Sequence, residues 1–174
     1  MSWDWWGAAR SRPGTQPETP GSGRRKKADG ALSNPLAIQH PDSMTTTHAE
    51  IDSAVTAAQA CLDAFMAAFN ARDLAAWEAT FNFPSVRLAS GSLTIIERGY
   101  HTPALFDSGA LSDWDHSAWE RRRVIHAGPD KVHFDTRFSR YRADGSIIGG
   151  FDSLYVVTCE NGRWGVKARS SFAP

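Results

Sequence analysis

Apolar side chains return at helical spacing through Ile51, Val55, Ala58, Leu62, Phe65, Met66 and Phe69. That period marks one face of an amphipathic helix. Just ahead of it, Thr47-His48-Ala49-Glu50 has capping-box spacing, with Glu three residues after Thr. The pattern predicts a helix over about 48–70. Asp73 reads as the N-cap of a second, short helix carrying Leu74, Trp77 and Phe81 and ended by Pro84. Val86-Arg87-Leu88 and Leu93-Thr94-Ile95 flank Ser90-Gly91 as a small hairpin. Thr102-Pro103 then supplies an N-cap and a first-turn proline for a third short helix that stops near Gly109.

From Ser117 the period changes to that of strands. Gly128-Pro129-Asp130, Asp144-Gly145 and Asn161-Gly162 cut the chain into segments of about 117–127, 131–142, 146–159 and 163–172. Asp-Gly and Asn-Gly are strong hairpin signals, so the four segments read as an antiparallel meander. The fold class expected is α+β: three N-terminal helices on a strongly curved, mainly antiparallel sheet, made of a short hairpin plus the meander.

With Asp144-Gly145 and Asn161-Gly162 as two-residue turns, alternation sorts the strand residues into rows. One face carries Trp119, Phe138, Phe151 and Phe172 in a row, then Arg121, Thr136, Ser153 and Ser170. Beyond these come Arg123, Phe134, Tyr155 and Ala168, then Ile125, Val132, Val157 and Val166. This face is mostly apolar and must pack on the helices, and the Arg121 row is its polar exception. Two readings of that row stay open. Ser and Thr are tolerated inside sheets, and Arg121 at an edge can keep its head in water. Alternatively, a pocket lies between sheet and helices, with Trp119, Arg121, Arg123, Phe134, Thr136, Phe151, Ser153, Tyr155 and Ser170 binding a ligand. An arginine beside hydroxyls suits a carboxylate, enolate or carbonyl oxygen. The opposite face aligns Glu120 with Arg137 and Asp152, and Arg122 with Asp135, a charge ladder of solvated or subunit-facing type. Val124, Leu154 and Val156 lie among those charges, which points to a homodimer through this face.

Composition narrows the classes. The chain has 174 residues, 19 Lys+Arg against 19 Asp+Glu and a net charge of zero, which argues against nucleic acid or a membrane surface held by bulk charge. No apolar run approaches the roughly 20 residues of a membrane helix. Two cysteines, Cys61 and Cys159, fit small core residues in a reducing, cytoplasmic setting. Residues 1–43 hold Pro13, Pro17, Pro20, Pro35 and Pro41 with no sustained period, and read as a disordered extension before a domain over 44–174. Met44 is read as the natural start. Within the extension, Trp3-Asp4-Trp5-Trp6 and Arg24-Arg25-Lys26-Lys27 are read as unstructured tail rather than docking or address signals. No glycine-rich phosphate loop, nucleophile elbow or zinc spacing occurs, so neither cofactor nor metal is expected. His133-Phe134-Asp135 reads as an outer-face polar pair, and His101 as surface. Asp115 shares parity with Trp119 and Arg121 and is the weak candidate for a general base at the cavity mouth.

The element order, the junction Ala68-Phe69-Asn70-Ala71-Arg72-Asp73 and the closing strand Arg163-Trp164-Gly165-Val166 after Gly162 resemble the nuclear transport factor 2-like (NTF2-like) superfamily, in its small bacterial SnoaL-like branch. The resemblance covers about residues 48–172. It implies a cone-shaped cavity between curved sheet and helices, and often a homodimer through the outer sheet face. Members include polyketide cyclases, ketosteroid isomerases, dehydratases and pocket-bearing proteins without a known reaction. The isomerase-type pattern puts a carboxylate near the end of the first strand and a tyrosine on the first helix. Here those places hold Leu88-Ala89-Ser90-Gly91 and Phe65 with Phe69. The cyclase-type pattern needs a carboxylate or histidine lining the cavity, and parity sends His126, His133, Asp135 and Asp152 outward. The expectation is a domain that binds a small, partly apolar, oxygen-bearing ligand. The alternative is a cofactor-independent cyclase, isomerase or dehydratase with Arg121 and Tyr155 polarising an oxygen and Asp115 as base.

Overall fold

The Thr47 hydroxyl accepts the Glu50 N–H at 3.2 Å, and the Glu50 carboxylate accepts the Thr47 N–H at 2.7 Å. This reciprocal cap satisfies donors that a helix start leaves unpaired, and helix α1 (His48–Asn70) follows. The computed structural model describes residues 47–89 and 91–173. The expected extension over 1–43 and Ser90 of the first turn lie outside the described residues. Asp73 caps α2 (Leu74–Glu78) through the Ala76 N–H.

The third expected helix is absent; two 3-10 turns, Pro103–Leu105 and Gly109–Leu111, take its place. Asp107, Ser108 and Gly109 are weak helix formers, and the chain closes with tighter bonds such as Phe106 N–H to the Pro103 carbonyl at 3.0 Å.

Six strands follow or intervene: β1 (Phe81–Ala89), β2 (Ser92–Ile96), β3 (His116–Ala127), β4 (Lys131–Tyr141), β5 (Ile147–Glu160) and β6 (Arg163–Ser171). They form one sheet in the order β2-β1-β6-β5-β4-β3, antiparallel throughout except for the β1–β6 pair. β1 is longer than the sequence predicts, because Pro84 does not end α2 but sits within the strand. It falls in the irregular stretch of the β1–β6 pairing between Phe81 and Val86, where a missing donor is tolerated.

Asn161 (φ 54°) and Gly162 (φ 76°) make the expected two-residue turn, since both adopt the left-handed conformation. The Asp144-Gly145 turn has three residues, with Arg142 N–H bonded to the Ser146 carbonyl at 2.9 Å. An irregularity between Arg140 and Tyr141 restores the expected pairing of β4 with β5, so Phe138 opposes Phe151, Thr136 opposes Ser153 and Phe134 opposes Tyr155.

Bulges change the remaining rows. β3 and β4 pair as expected at Trp119 and Phe138, then slip between Trp119 and Arg121 and again between Val124 and His126. Each slip adds one residue to β3 and reverses which face the next side chain meets. Arg122 and Val124 therefore face inward, while Arg121 and Arg123 face outward, against the expectation. β6 slips between Val156 and Val157 of its partner, so Arg169 opposes Tyr155 and Ser170 opposes Leu154. Arg169 and Ser171 turn inward, and Ser170 and Phe172 turn outward.

The core lies between α1 and the inner sheet face. Ala54, Ala58, Leu62 and Phe65 meet Val132, Phe134, Tyr155, Val157 and Val166 there, all buried. At the far end of this packing, Gly165 of β6 meets Asn82 of β1. A Cβ built on Gly165 would lie 2.7 Å from the Asn82 carboxamide and 2.8 Å from its backbone nitrogen. Asn82 is itself fixed, donating to the Thr158 carbonyl at 2.8 Å and accepting from Arg163 at 2.6 Å. Gly165→Ala therefore forces backbone movement and should cost about 1–3 kcal/mol, in the range of overpacked interiors. Thermal denaturation followed by circular dichroism should show the midpoint falling by several degrees; an unchanged midpoint would contradict the close approach of the two strands.

Candidate functional site

Where α1 and the sheet diverge, the 3-10 segment roofs a cavity of about 330 Å³. Volumes of this order suit small-molecule sites. Phe65, Met66 and Phe69 of α1, Trp77 of α2 and Phe138 of β4 supply the apolar walls. The aromatic rings brace one another: Phe65 lies 5.3 Å from Trp77, and Phe69 lies 5.0 Å from both Trp77 and Trp114. Leu105, Ala110 and Leu111 close the side facing the 3-10 turns.

The polar groups are three arginines, Arg87, Arg140 and Arg169, with Tyr155, Tyr100, His101, Ser108 and Ser117. Register places them. Arg87 of β1 is directly paired with Arg169 of β6, which is directly paired with Tyr155 of β5. Arg140 enters from β4, where it opposes Ser117 and Gly149. Arg169 donates to the Tyr155 hydroxyl at 3.5 Å and lies over Phe65, 6.0 Å from the ring centre. Arg140 is 8% exposed, donates to the Ala110 carbonyl at 3.0 Å and lies 5.1 Å over the Phe151 ring. Among the described residues no carboxylate pairs with any of the three.

Electrostatics follow from that arrangement. Burial, then the Arg169 charge, lowers the Arg87 pKa; burial, then Arg169 and Arg87, lowers that of Arg140. Four buried side-chain nitrogens among the described residues have no hydrogen-bond partner: Trp77 Nε1, His101 Nδ1, Arg140 Nε and Arg169 Nε. All four belong to residues that line this cavity.

His101 is not on the surface as the sequence reads. Its ring is 7% exposed, lies tilted 4.4 Å from Trp77 and holds Nδ1 3.9 Å from Glu78, which is anchored by the Gly99 N–H at 2.9 Å. Asp115 does not reach the cavity. Its carboxylate is half exposed and bonds His116 Nδ1 at 2.9 Å, while its N–H is tied to the Tyr141 carbonyl.

The other expected ligand residues separate. Tyr155 lines the cavity. Phe134 is buried in the main core. Trp119 is wedged beside the cavity, donating to the Leu62 carbonyl at 3.3 Å and meeting Tyr155 edge-on. Phe151 backs Phe138 and the Arg140 guanidinium. Thr136 and Ser153 satisfy themselves: Thr136 donates to the Ser153 carbonyl at 3.0 Å, and Ser153 donates to Ser171 at 2.9 Å. The inward arginine of that row is Arg122, bound to Asp63 at 2.6 Å. Arg121 and Arg123 stand on the outer face and share Asp135 at 2.8 and 3.0 Å, and Ser170 lies on that face beside Leu154. Arg87, Arg140 and Arg169 are thus the charged residues that sequence reasoning passed over, and His101 the one it placed on the surface. Arg140 alone carried a signal, since it shares the inward parity of Phe134, Thr136 and Phe138.

The sheet, the long helix and the cavity between them define an NTF2-like α+β protein with a cystatin-like fold. The family model described as "NTF2-like protein (DUF6841)" matches residues 52–171, and the chain belongs to that family. No curated protein matches it in sequence. Solved structures match in fold. An NTF2-like protein with a cystatin-like fold from Novosphingobium aromaticivorans superposes with a TM-score of 0.60 at 10% identity, covering 72% of this chain and 84% of that one. A protein of unknown function with a cystatin-like fold from Nostoc punctiforme gives 0.57 at 12% identity, with 69% and 90% covered. A ketosteroid isomerase-like protein from Erwinia carotovora atroseptica gives 0.54 at 16% identity, with 72% and 97% covered.

Burial, and after it the Arg169 charge, pushes the His101 pKa down to about 4 against the pull of Glu78, with Arg87 adding to the depression. The unfolded chain takes up this proton near pH 6.5, whereas the native state refuses it until about pH 4. Unfolding therefore gains a proton between those values, and stability should fall as pH drops through that window. His101→Phe should flatten this part of the stability profile, and the wild-type His101 ring resonance should titrate near pH 4 by NMR. A midpoint near 6.5 would contradict the buried, cation-flanked placement.

Proposed function

We propose that this chain is a small-molecule-binding NTF2-like protein whose cavity takes a partly apolar, oxygen-bearing ligand. The observation that carries the reading is the cavity itself, with aromatic walls on one side and converging N–H and O–H donors on the other. Family membership and the ketosteroid isomerase-like neighbour support a ligand-binding or isomerase-type domain. Two free thiols, Cys61 buried and Cys159 half-buried, support a reducing, cytoplasmic setting. Among the described residues no helix is long and apolar enough to cross a membrane. The balanced net charge supports neither nucleic acid nor an anionic surface as partner.

A second reading, cofactor-independent catalysis of isomerase, cyclase or dehydratase type, has one observation in its favour. A histidine held neutral by burial and a tyrosine hydroxyl receiving an Arg169 N–H line the same cavity. His101 would take a proton beside a substrate carbonyl, and Tyr155 with Arg169 would hold the developing oxyanion. Deuterium exchange at the carbon next to a bound ketone, lost in His101→Gln, would favour catalysis over binding alone.

Titration of the full chain with small aromatic ketones and acids should give saturable binding at or below about 1 mM. Trp77 emission reports it, with Trp77→Phe as control. No saturable change with any of them would remove the ligand-binding reading.

The outer sheet face supports a homodimer, though not through Val124, which faces the core. Ile95, Val86, Ala168 and Val156 form one cross-strand row there, and Leu93, Leu88, Ser170 and Leu154 the next. Leu93, Ile95 and Leu154 are at least half exposed and Phe172 is 82% exposed. A contiguous apolar patch of this kind is unusual on a free surface. Light scattering at micromolar concentration should report about twice 19.1 kDa, and Leu88→Lys with Leu154→Lys should return it to the single-chain value. A single-chain mass for the unaltered protein would exclude the dimer.

A further inference from the structure

The charge inventory of the cavity is one-sided. Arg87 and Arg169 are in register on adjacent strands, where like charges repel. Arg140 adds a third guanidinium, nine-tenths buried, and among the described residues no acidic side chain lines the space. The arginines of β3 and β4 outside the cavity are matched. Arg122 has Asp63, Arg121 and Arg123 share Asp135, and Arg137 has Glu120 and Asp152. Among the described residues Arg72, Arg98 and Arg163 also lack a carboxylate but lie apart: Arg72 donates to the Trp114 carbonyl, Arg163 to the Ala79 and Phe81 carbonyls, and Arg98 lies over Phe83. Arg87, Arg140 and Arg169 instead meet inside the cavity, and the Nε atoms of Arg140 and Arg169 are buried without an acceptor.

Resting on the reading that the cavity holds a small molecule, we propose that its ligand is a carboxylate with a flat apolar body, the negative end seated among Arg87, Arg140 and Arg169. Guanidinium groups recognise planar carboxylates through paired N–H donors. The Tyr155 hydroxyl, already fixed by Arg169, adds a donor on the same side. Phe65, Phe69, Trp77 and Phe138 form the slot for the body. His101 stays neutral beside the cations and adds no charge of its own. An anion relieves the Arg87–Arg169 repulsion, so the site gains from a negative ligand what it loses when empty. A neutral ketone or amide of the same shape fills the slot and leaves the repulsion in place.

The test uses the full chain at low salt, titrated calorimetrically with 2-naphthoate and with its neutral isostere 2-naphthamide. The carboxylate should bind at least tenfold more tightly than the amide. Arg87→Met removes no hydrogen bond to any described residue, so it should fold, melt at the same or a higher temperature and lose the tenfold preference while keeping the amide affinity. Arg169→Met should lose the preference too, and Arg121→Met on the outer face should keep it. Equal affinity for acid and amide in the unaltered protein would overturn the anion proposal and leave the cavity reading standing. A preference that survives both Arg87→Met and Arg169→Met would overturn it as well. Binding of neither compound would remove both.

Discussion

Two guanidinium groups held in register on the buried face of a sheet repel each other, and Arg87 beside Arg169 sets the terms for everything built around them. A buried cation without a partner costs several kcal/mol unless water, a ring face or an acceptor takes over its solvation. The fold answers with aromatic rings and carbonyls, not carboxylates. Phe65 lies under Arg169, Phe151 under Arg140, and the Ala110 carbonyl takes one Arg140 N–H. These contacts hold the heads in place without neutralising them. The 3-10 segment that replaces a regular helix matters here, because its open carbonyl at Ala110 reaches Arg140. A charge-rich, partly buried cavity is preorganised for an anion, which is where electrostatic recognition is strongest.

Single extra residues decide which arginines enter that cavity. The insertion in β3 near Glu120 sends Arg121 outward and Arg122 inward, and the insertion in β6 at Lys167 sends Arg169 inward and Ser170 outward. A strict two-residue period carries no sign of either event, since a bulge leaves composition unchanged and alters only register. This is why the element order and strand limits from Ser117 onward were legible in the sequence while the rows beyond each bulge were inverted. The β4–β5 pairing survived because the irregularity between Arg140 and Tyr141 offsets the extra residue of their turn, and Phe134, Thr136, Phe138, Ser153 and Tyr155 face inward as expected. The polar row that looked like a pocket is a self-satisfied strip of core: Thr136, Ser153 and Ser171 bond one another, and Arg122 has Asp63.

The parts of the site that were not legible failed for separate physical reasons. Val86-Arg87-Leu88 reads only as one arm of a hairpin with no face assigned; in the structure Arg87 is turned to the cavity, and Val86 and Leu88 are left on the outer face. Hydropathy alone does not reveal that face, because an apolar outer patch competes with the core for the same residues. His101 lies in a segment with no period to read, and its burial comes from Trp77 packing beside it. Arg140 was the exception, an arginine at an inward position whose parity was already set by its neighbours.

Most strand arginines sort by one feature, the presence or absence of a carboxylate partner. On the outer face Glu120, Asp135 and Asp152 are each taken up by Arg121, Arg123 or Arg137, and hydrogen bonds from those arginines and from Ser139 hold Asp135 and Glu120 below the usual carboxylate range. Exposed pairs of this kind add little stability, but they fix where the long side chains lie and leave the β1, β2 and β6 half of the face apolar. On the inner face the one matched arginine, Arg122, sits over α1 away from the cavity, and the unmatched three converge inside it. An arginine that shares a carboxylate has its solvation restored within the fold and no energetic reason to seek a ligand. An arginine that lacks one, in a cavity with room for a small molecule, retains that drive. Counting carboxylates residue by residue thus separates Arg121, Arg122, Arg123 and Arg137 from the three that give the cavity a chemical preference, while Arg163 of β6 has no carboxylate among the described residues and donates instead to the Ala79 and Phe81 carbonyls and to Asn82.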